Sequence, residues 1–287
     1  MGYLAAASIM WAFSFGLIGR HLGGLDSQSV AFVRLLISLV VFAPFMRRQG
    51  LAWRDMLRLM VIGAVQFGLM YAVYIQAFQS LRGHEVALFT IMTPLFVTLL
   101  DDWRRGRFQR AYFLAAVLAV AGGAVLTGFQ RVDGGMVPGI LLIQVSNLCF
   151  AAGQVEYKRF TEREAPVAAG GWHHFGFLYL GAVMVTGVFA GLSGLASFRP
   201  APEQWWVLLY LGVVPSALGF YLWNAGARRV NAGTLAVFNN VKIPLAVAVS
   251  LLFFKEAAEW HRLAGGVTGI AAGFAVAGWC RHQRAPR

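Results

Sequence analysis

Apolar runs of about twenty residues follow one another from one end of this chain to the other, and twenty apolar residues is the length of helix that crosses a bilayer. The runs fall near residues 3–19, 28–46, 58–79, 84–101, 111–129, 138–157, 170–190, 204–225, 233–253 and 262–280. Hydrocarbon offers no water to backbone N–H and C=O groups, so each run must bond internally as a helix. The expected fold is therefore an all-α membrane protein of ten transmembrane helices. Composition agrees: 59% of the 287 residues are hydrophobic and 13% charged, against roughly 45–50% and about 25% in soluble domains. The first run lacks the positive leader of a signal peptide and reads as the first span. Cys149 and Cys280 have no metal or redox spacing.

A net charge of +12 in a soluble domain would suggest nucleic acid, but here the basic residues interrupt apolar runs and form no extended block. Their distribution reads as topology. With the N-terminus cytoplasmic, sixteen of the 24 fall in inner links and six in outer ones, leaving Arg34 and Lys242 within spans. The positive-inside rule then places both termini in the cytoplasm, and the expected location is the cytoplasmic (inner) membrane.

A shift of 150 residues lays the middle of the chain on its end without a gap. Tyr71 falls on Tyr221, Ala77 on Ala227, Gly83 on Gly233, Pro94 on Pro244 and Gly123 on Gly273. A ladder of small residues repeats too, Ala115, Ala119 and Gly123 against Gly265, Gly269 and Gly273, and such ladders let helix backbones approach closely. The expected organisation is two five-helix repeats, 1–132 and 133–287. An odd number of spans in each gives them opposite orientations, an inverted repeat, which is a recurrent plan of secondary transporters.

These residues resemble the drug/metabolite transporter superfamily and its EamA-type members. The likeness rests on "IMWAFSFGLIGR" with Trp11, on Arg34 in "AFVRLLISL", on Pro94 in "TIMTPLF" and Pro244 in "NVKIPLA", and on Glu256 in "FFKEAAEWHRLAGGVTGIAAG". "DDWRRGRFQR" departs from the pattern, since Gly106 stands opposite Glu256. The resemblance implies export of amino acids or related metabolites, driven by a gradient. It adds Trp11 to the candidate substrate-binding residues, and Arg34, Pro94 and Pro244 as gating or packing residues.

Lys242 lies in "FNNVKIPLAVAVSLLFF", about 14 Å along its helix from Gly233. An ionisable group at that depth is costly and usually functional. Asn239 shares its helical face and is expected to partner it, whereas Asn240 points elsewhere. Pseudo-symmetry brings Glu85 to the same interior, although, about 3 Å along the axis from Gly83, it could equally stand at the aqueous boundary or belong to a gate. Gln144, Asn147, Ala151, Gln154 and Lys158 form a polar stripe along span six, facing a cavity or another helix. Tyr71 and Tyr74, with repeat partners Tyr221 and Asn224, suit a small-molecule pocket. His173 and His174 are adjacent and cannot share a face, so no metal site is expected.

A lysine and a glutamate in one apolar-walled cavity suit a zwitterion, with Lys242 on the carboxylate and Glu85 on the ammonium or on a coupling proton. Lys242 could also serve structurally, bound to a backbone carbonyl or to Glu85. The leading expectation is a secondary transporter of amino acids or related zwitterions, without cofactor, as monomer or homodimer. Efflux of organic cations is the alternative within transport. A membrane enzyme or structural protein is the alternative outside it, though no catalytic motif appears in the links. A cysteine placed at either terminus should stay unlabelled by an impermeant thiol reagent in intact cells; labelling there would overturn the topology.

Overall fold

The computed structural model describes residues 1–48, 51–127, 133–163, 171–254 and 260–282. Glu256 lies outside them. Among the described residues every regular element is helical. The order is α1 (Gly2–His21), α2 (Ser27–Phe42), α3 (Trp53–Ala77), α4 (Gly83–Phe89), α5 (Thr93–Arg105), α6 (Arg110–Thr127), α7 (Val137–Arg163), α8 (Trp172–Ser193), α9 (Pro202–Ala227), α10 (Ala232–Phe254) and α11 (Trp260–His282). Helical segments that are both long and apolar enough to cross a membrane are Ser27–Phe45, Trp53–Ala77, Gly134–Glu162, Trp172–Ser193 and Pro202–Ala227.

Three of these elements depart from a plain α-helix, and each departure has a chemical cause. The expected span at 84–101 is divided, because Pro94 opens α5 and a 3-10 turn, Thr90–Met92, joins it to α4. Proline has no N–H to give the carbonyl four residues back. That carbonyl, Thr90 O, accepts instead from Thr93 Oγ1 at 2.7 Å. Helices α3 and α9 each contain a wide π-helical stretch, Ala64–Leu69 and Gly212–Leu218, the second with Pro215 inside it. Side chains from three other helices reach the carbonyls of the second stretch: Ser38 Oγ donates to Gly212 O at 2.8 Å, Trp11 Nε1 to Pro215 O at 2.9 Å and Tyr179 OH to Ser216 O at 2.6 Å.

Glycines set the closest helix contacts. Gly63 of α3 and Gly181 of α8 each face the other helix's backbone, and a Cβ on either would overlap it. Between α6 and α11, a Cβ on Gly269 would lie 2.8 Å from Gly122 Cα, and one on Gly273 would lie 2.9 Å from Ala115 O. The expected ladder is thus one residue out of phase in part. Gly122 and Gly266 meet across this contact, whereas Gly123 faces Ile91 and Asn240, and Gly265 is exposed. An α-helix advances about 100° per residue, so adjacent glycines cannot be told apart by spacing alone.

Gly269→Val should force α6 and α11 apart and lower stability in detergent by about 1–3 kcal/mol, the usual range for overpacking. Gly278, where an added Cβ would meet nothing within 4 Å, serves as the control in the same unfolding series, and Gly278→Val should shift the transition little.

Candidate functional site

A cavity lies where α1, α2, α3, α7, α9 and α10 meet, beside the break between α4 and α5. About 560 Å³ of empty space lies within it when its open mouth is counted. Helix α1 contributes Trp11, Ser14 and Ile18, α2 contributes Arg34, and α3 contributes Met70, Tyr71 and Tyr74. Thr90 and Thr93 come from the helix break, Ser146, Asn147 and Phe150 from α7, Phe220 from α9 and Lys242 from α10. Among the described residues no aspartate or glutamate lines it.

Polar side chains fix the wall at the break. A 3-10 turn leaves Phe89 O without its α-helical donor, and Asn147 Nδ2 and Gln144 Nε2 supply bonds at 2.9 and 3.2 Å. Thr93 Oγ1 is 3.1 Å from Asn147 Oδ1. Asn240 Nδ2 donates to Ile91 O at 3.0 Å and to Ala119 O at 2.9 Å, tying the break to α6 and α10.

Of the sequence candidates, Lys242, Trp11, Tyr71, Tyr74 and Asn147 line this cavity, and so does Arg34, expected only to gate or pack. Lys242 is 8% exposed. Its expected partner Asn239 does not reach it: Asn239 Nδ2 donates back along its own helix to Leu235 O at 2.9 Å and to Gln154 Oε1 at 3.4 Å. Glu85 is not part of the lining either. It sits in the first turn of α4, where Oε2 accepts from Arg82 N at 2.7 Å, the position to which a helix N-terminus draws a carboxylate. Tyr221 stacks on Trp172 with centroids 3.9 Å apart, and Asn224 Oδ1 accepts from Gln66 Nε2 at 3.1 Å. Pro94 is buried at the start of α5, and Pro244 lies within α10.

Sequence reasoning missed Ser216, Gln66 and the threonines of the break. Gln66 had a signal, being a lone amide in an apolar run at the shift that pairs it with Ser216.

The two sides of the cavity differ. On one, a wide depression lined by Gly23, Gly24, Asp26, Arg82 and Arg199 adjoins it, and Ile18 lines both. Asp26 caps α2 there; partial burial opposes its charge, but bonds from Ser29 and Ser193 hold the carboxyl below its usual range. On the other side Trp11, Phe150, Phe220 and Trp223 pack ring against ring, with centroids 4.8–5.9 Å apart. Next to these rings lie the buried amides Gln66, Gln154, Asn224 and Asn239, with Trp223 Nε1 donating to Gln154 Oε1 at 3.0 Å. Further along, Arg58 and Arg104 both pair with Glu156, and Arg105 with Asp101 and Glu162.

A polar cavity deep in an apolar helical bundle, open toward one end and closed toward the other, is the arrangement of a carrier. Residues 1–128 and 137–277 match the EamA-like transporter family. The chain is 40% identical to a probable biotin transporter of Pseudomonas aeruginosa, over 95% of both proteins. It is 37% identical to a biotin transporter of Salmonella typhimurium, over 95% of this chain and 91% of that one. An aromatic amino acid exporter of Ancylobacter novellus is 25% identical over 71% of this chain and 70% of its own length. A solved crystal structure shares the fold with a TM-score of 0.75, at 21% identity, across 96% of this chain and 95% of that one. The chain belongs to the EamA-like transporter family, and it is an integral membrane protein that acts as a secondary transporter.

Asn240→Ala should remove both bonds that tie α10 to Ile91 O and Ala119 O and destabilise the protein by about 1–3 kcal/mol. Thr268→Ala, on an exposed face of α11, should stay within about 0.5 kcal/mol in the same melt.

Proposed function

We propose that this transporter carries a small carboxylate metabolite, and that biotin is its substrate. The observation that carries the reading is the charge of the cavity: Arg34 and Lys242 line it and, among the described residues, no acidic one does, so the substrate is the partner that brings negative charge. Aromatic and apolar walls from Trp11, Tyr71, Tyr74, Phe150 and Phe220 suit a flat, largely apolar body, and the hydroxyls and amide of Thr90, Thr93, Ser146 and Asn147 suit a ureido group. The names of relatives alike over nearly their whole length point the same way.

An amino acid fits less well. Its ammonium would stand beside two cations without the carboxylate that Glu85 was expected to supply. The aromatic amino acid exporter among the relatives and the ring-lined wall make aromatic amino acids the second reading. Organic cations meet two like charges.

The inverted five-helix repeat belongs to the same proposal, with 1–132 and 133–287 as its halves, both termini cytoplasmic, and the cytoplasmic membrane as its location. The 150-residue shift supports it, and the same shift pairs Gln66 with Ser216, each inside a π-helical stretch. Alternate opening of the two sides would then carry substrate in whichever direction the gradient sets, with or without a coupling proton.

Counterflow of labelled biotin into biotin-loaded proteoliposomes is the test. Unlabelled biotin should compete, phenylalanine and tryptophan should not, and Lys242→Met should reduce the rate at least tenfold, about 1.4 kcal/mol of lost interaction, in protein that elutes and melts as wild type. Competition by the amino acids without any biotin counterflow would overturn the biotin assignment in favour of the second reading.

A further inference from the structure

The two cations of the cavity are not equivalent. Arg34 is 1% exposed, deeper than Lys242, and its described partners are all neutral. Nη2 donates to Tyr71 OH at 2.9 Å and to Ser216 Oγ at 3.1 Å, and these two hydroxyls are themselves 3.2 Å apart. The guanidinium carbon sits 4.6 Å from the centre of the Tyr71 ring. Nε and Nη1 are buried and have no acceptor among the described residues.

This combination asks for an anion. A guanidinium keeps its charge at any pH a cell reaches, whereas a lysine ammonium can shed its proton when desolvated. A buried lysine can therefore exist without a counter-charge, and a buried arginine cannot. Nη2 has both of its hydrogens engaged, so what remains is the N–H capacity of Nη1 and Nε on a group that already lines the cavity. Tyr71 and Ser216 hold the guanidinium plane from two different helices, α3 just after its π-helical stretch and α9 within its own. The receptor is thus preorganised before a ligand arrives, which lowers the ordering cost of binding.

We propose that the guanidinium of Arg34 is the receptor for the substrate's carboxylate, leaving Lys242 to donate to an uncharged acceptor elsewhere on the same molecule. Arg34 then becomes a binding residue rather than a packing one. For a ureido acid the division of labour is direct: the acid end meets Arg34, the ureido oxygen meets Lys242, and the aromatic wall covers the body between them. This deepens the proposed function and rests on it for the choice of biotin as probe. The assignment of the carboxylate to Arg34 is tested by comparing acid with amide, whichever carboxylate is carried.

The experiment measures binding of biotin and of its uncharged primary amide to the purified full-length protein in detergent, by ligand-induced thermal stabilisation. Wild type should prefer the acid at least tenfold. Arg34→Gln should erase that preference by weakening the acid and leaving the amide, whereas Lys242→Met should weaken both and keep the preference. Arg34→Gln retaining the wild-type preference, or Lys242→Met losing it, would overturn the assignment. If wild type binds neither compound the biotin reading fails, and the same three proteins are compared with hexanoate and hexanamide. Loss of the acid preference only in Arg34→Gln then supports the receptor, and no acid preference in wild type overturns it. Should Arg34→Gln not fold, Arg34→Lys keeps the charge but not the fixed planar donors. It should lose about tenfold for the acid with the amide unchanged, and wild-type affinity for the acid would count against the proposal.

Discussion

A backbone carbonyl released by a helix break inside hydrocarbon has no water to turn to, and the whole interior of this protein is arranged around that fact. The 3-10 turn before Pro94 releases carbonyls that Thr93, Gln144, Asn147 and Asn240 take up. The π-helical stretch around Pro215 releases others that Trp11, Ser38 and Tyr179 take up. Donors must therefore sit at the same depth as the breaks, on helices packed directly against them. Several of these donors, or their near neighbours, are also the walls of the cavity. The irregular backbone and the polar site are one construction, because the cavity exists where regular helices stop being regular.

Part of this arrangement could be read beforehand. Length and apolarity made the helical membrane class legible, and Lys242 and Arg34 were conspicuous as the charges inside spans. Trp11, Tyr71, Tyr74 and Asn147 also reached the cavity. Tyr221 and Asn224 did not, and both follow the π-helical stretch of α9. Tyr71 and Tyr74 follow the π-helical stretch of α3 in the same way, so the difference lies in the partners: Tyr221 stacks on Trp172, and Asn224 accepts from Gln66. Asn239, three residues from Lys242, donates to a nearer acceptor, the carbonyl one turn back. Of the two readings of Glu85, the one close to the helix start matches its contact, since the free N–H groups at the start of α4 draw the carboxylate to Arg82 N.

On the closed side, the aromatic cluster is backed by amides rather than by more hydrocarbon. Gln66, Gln154, Asn224 and Asn239 bond to one another and to Trp223, yet Gln66 Oε1, Gln154 Nε2, Asn224 Nδ2 and Asn239 Oδ1 find no partner among the described residues. A partly satisfied polar network in a low dielectric is poorly stabilised compared with either a complete one or a dry core. Water reaching this layer improves its hydrogen bonding. Separation of the helices here is therefore less unfavourable than separation of an equal area of packed leucine and phenylalanine.

The glycine contact between α6 and α11 has a consequence in time. Its two faces belong to segments far apart in the chain, Arg110–Thr127 and Trp260–His282. Ribosomes add about 5–20 residues per second, so on the order of ten seconds separate the emergence of one face from that of the other. Through that interval α6 presents Gly122 and its small neighbours to lipid, and any other insertion partner with a narrow surface can occupy them. Closure of this interface therefore waits for the synthesis of Trp260–His282, long after α6 has been inserted.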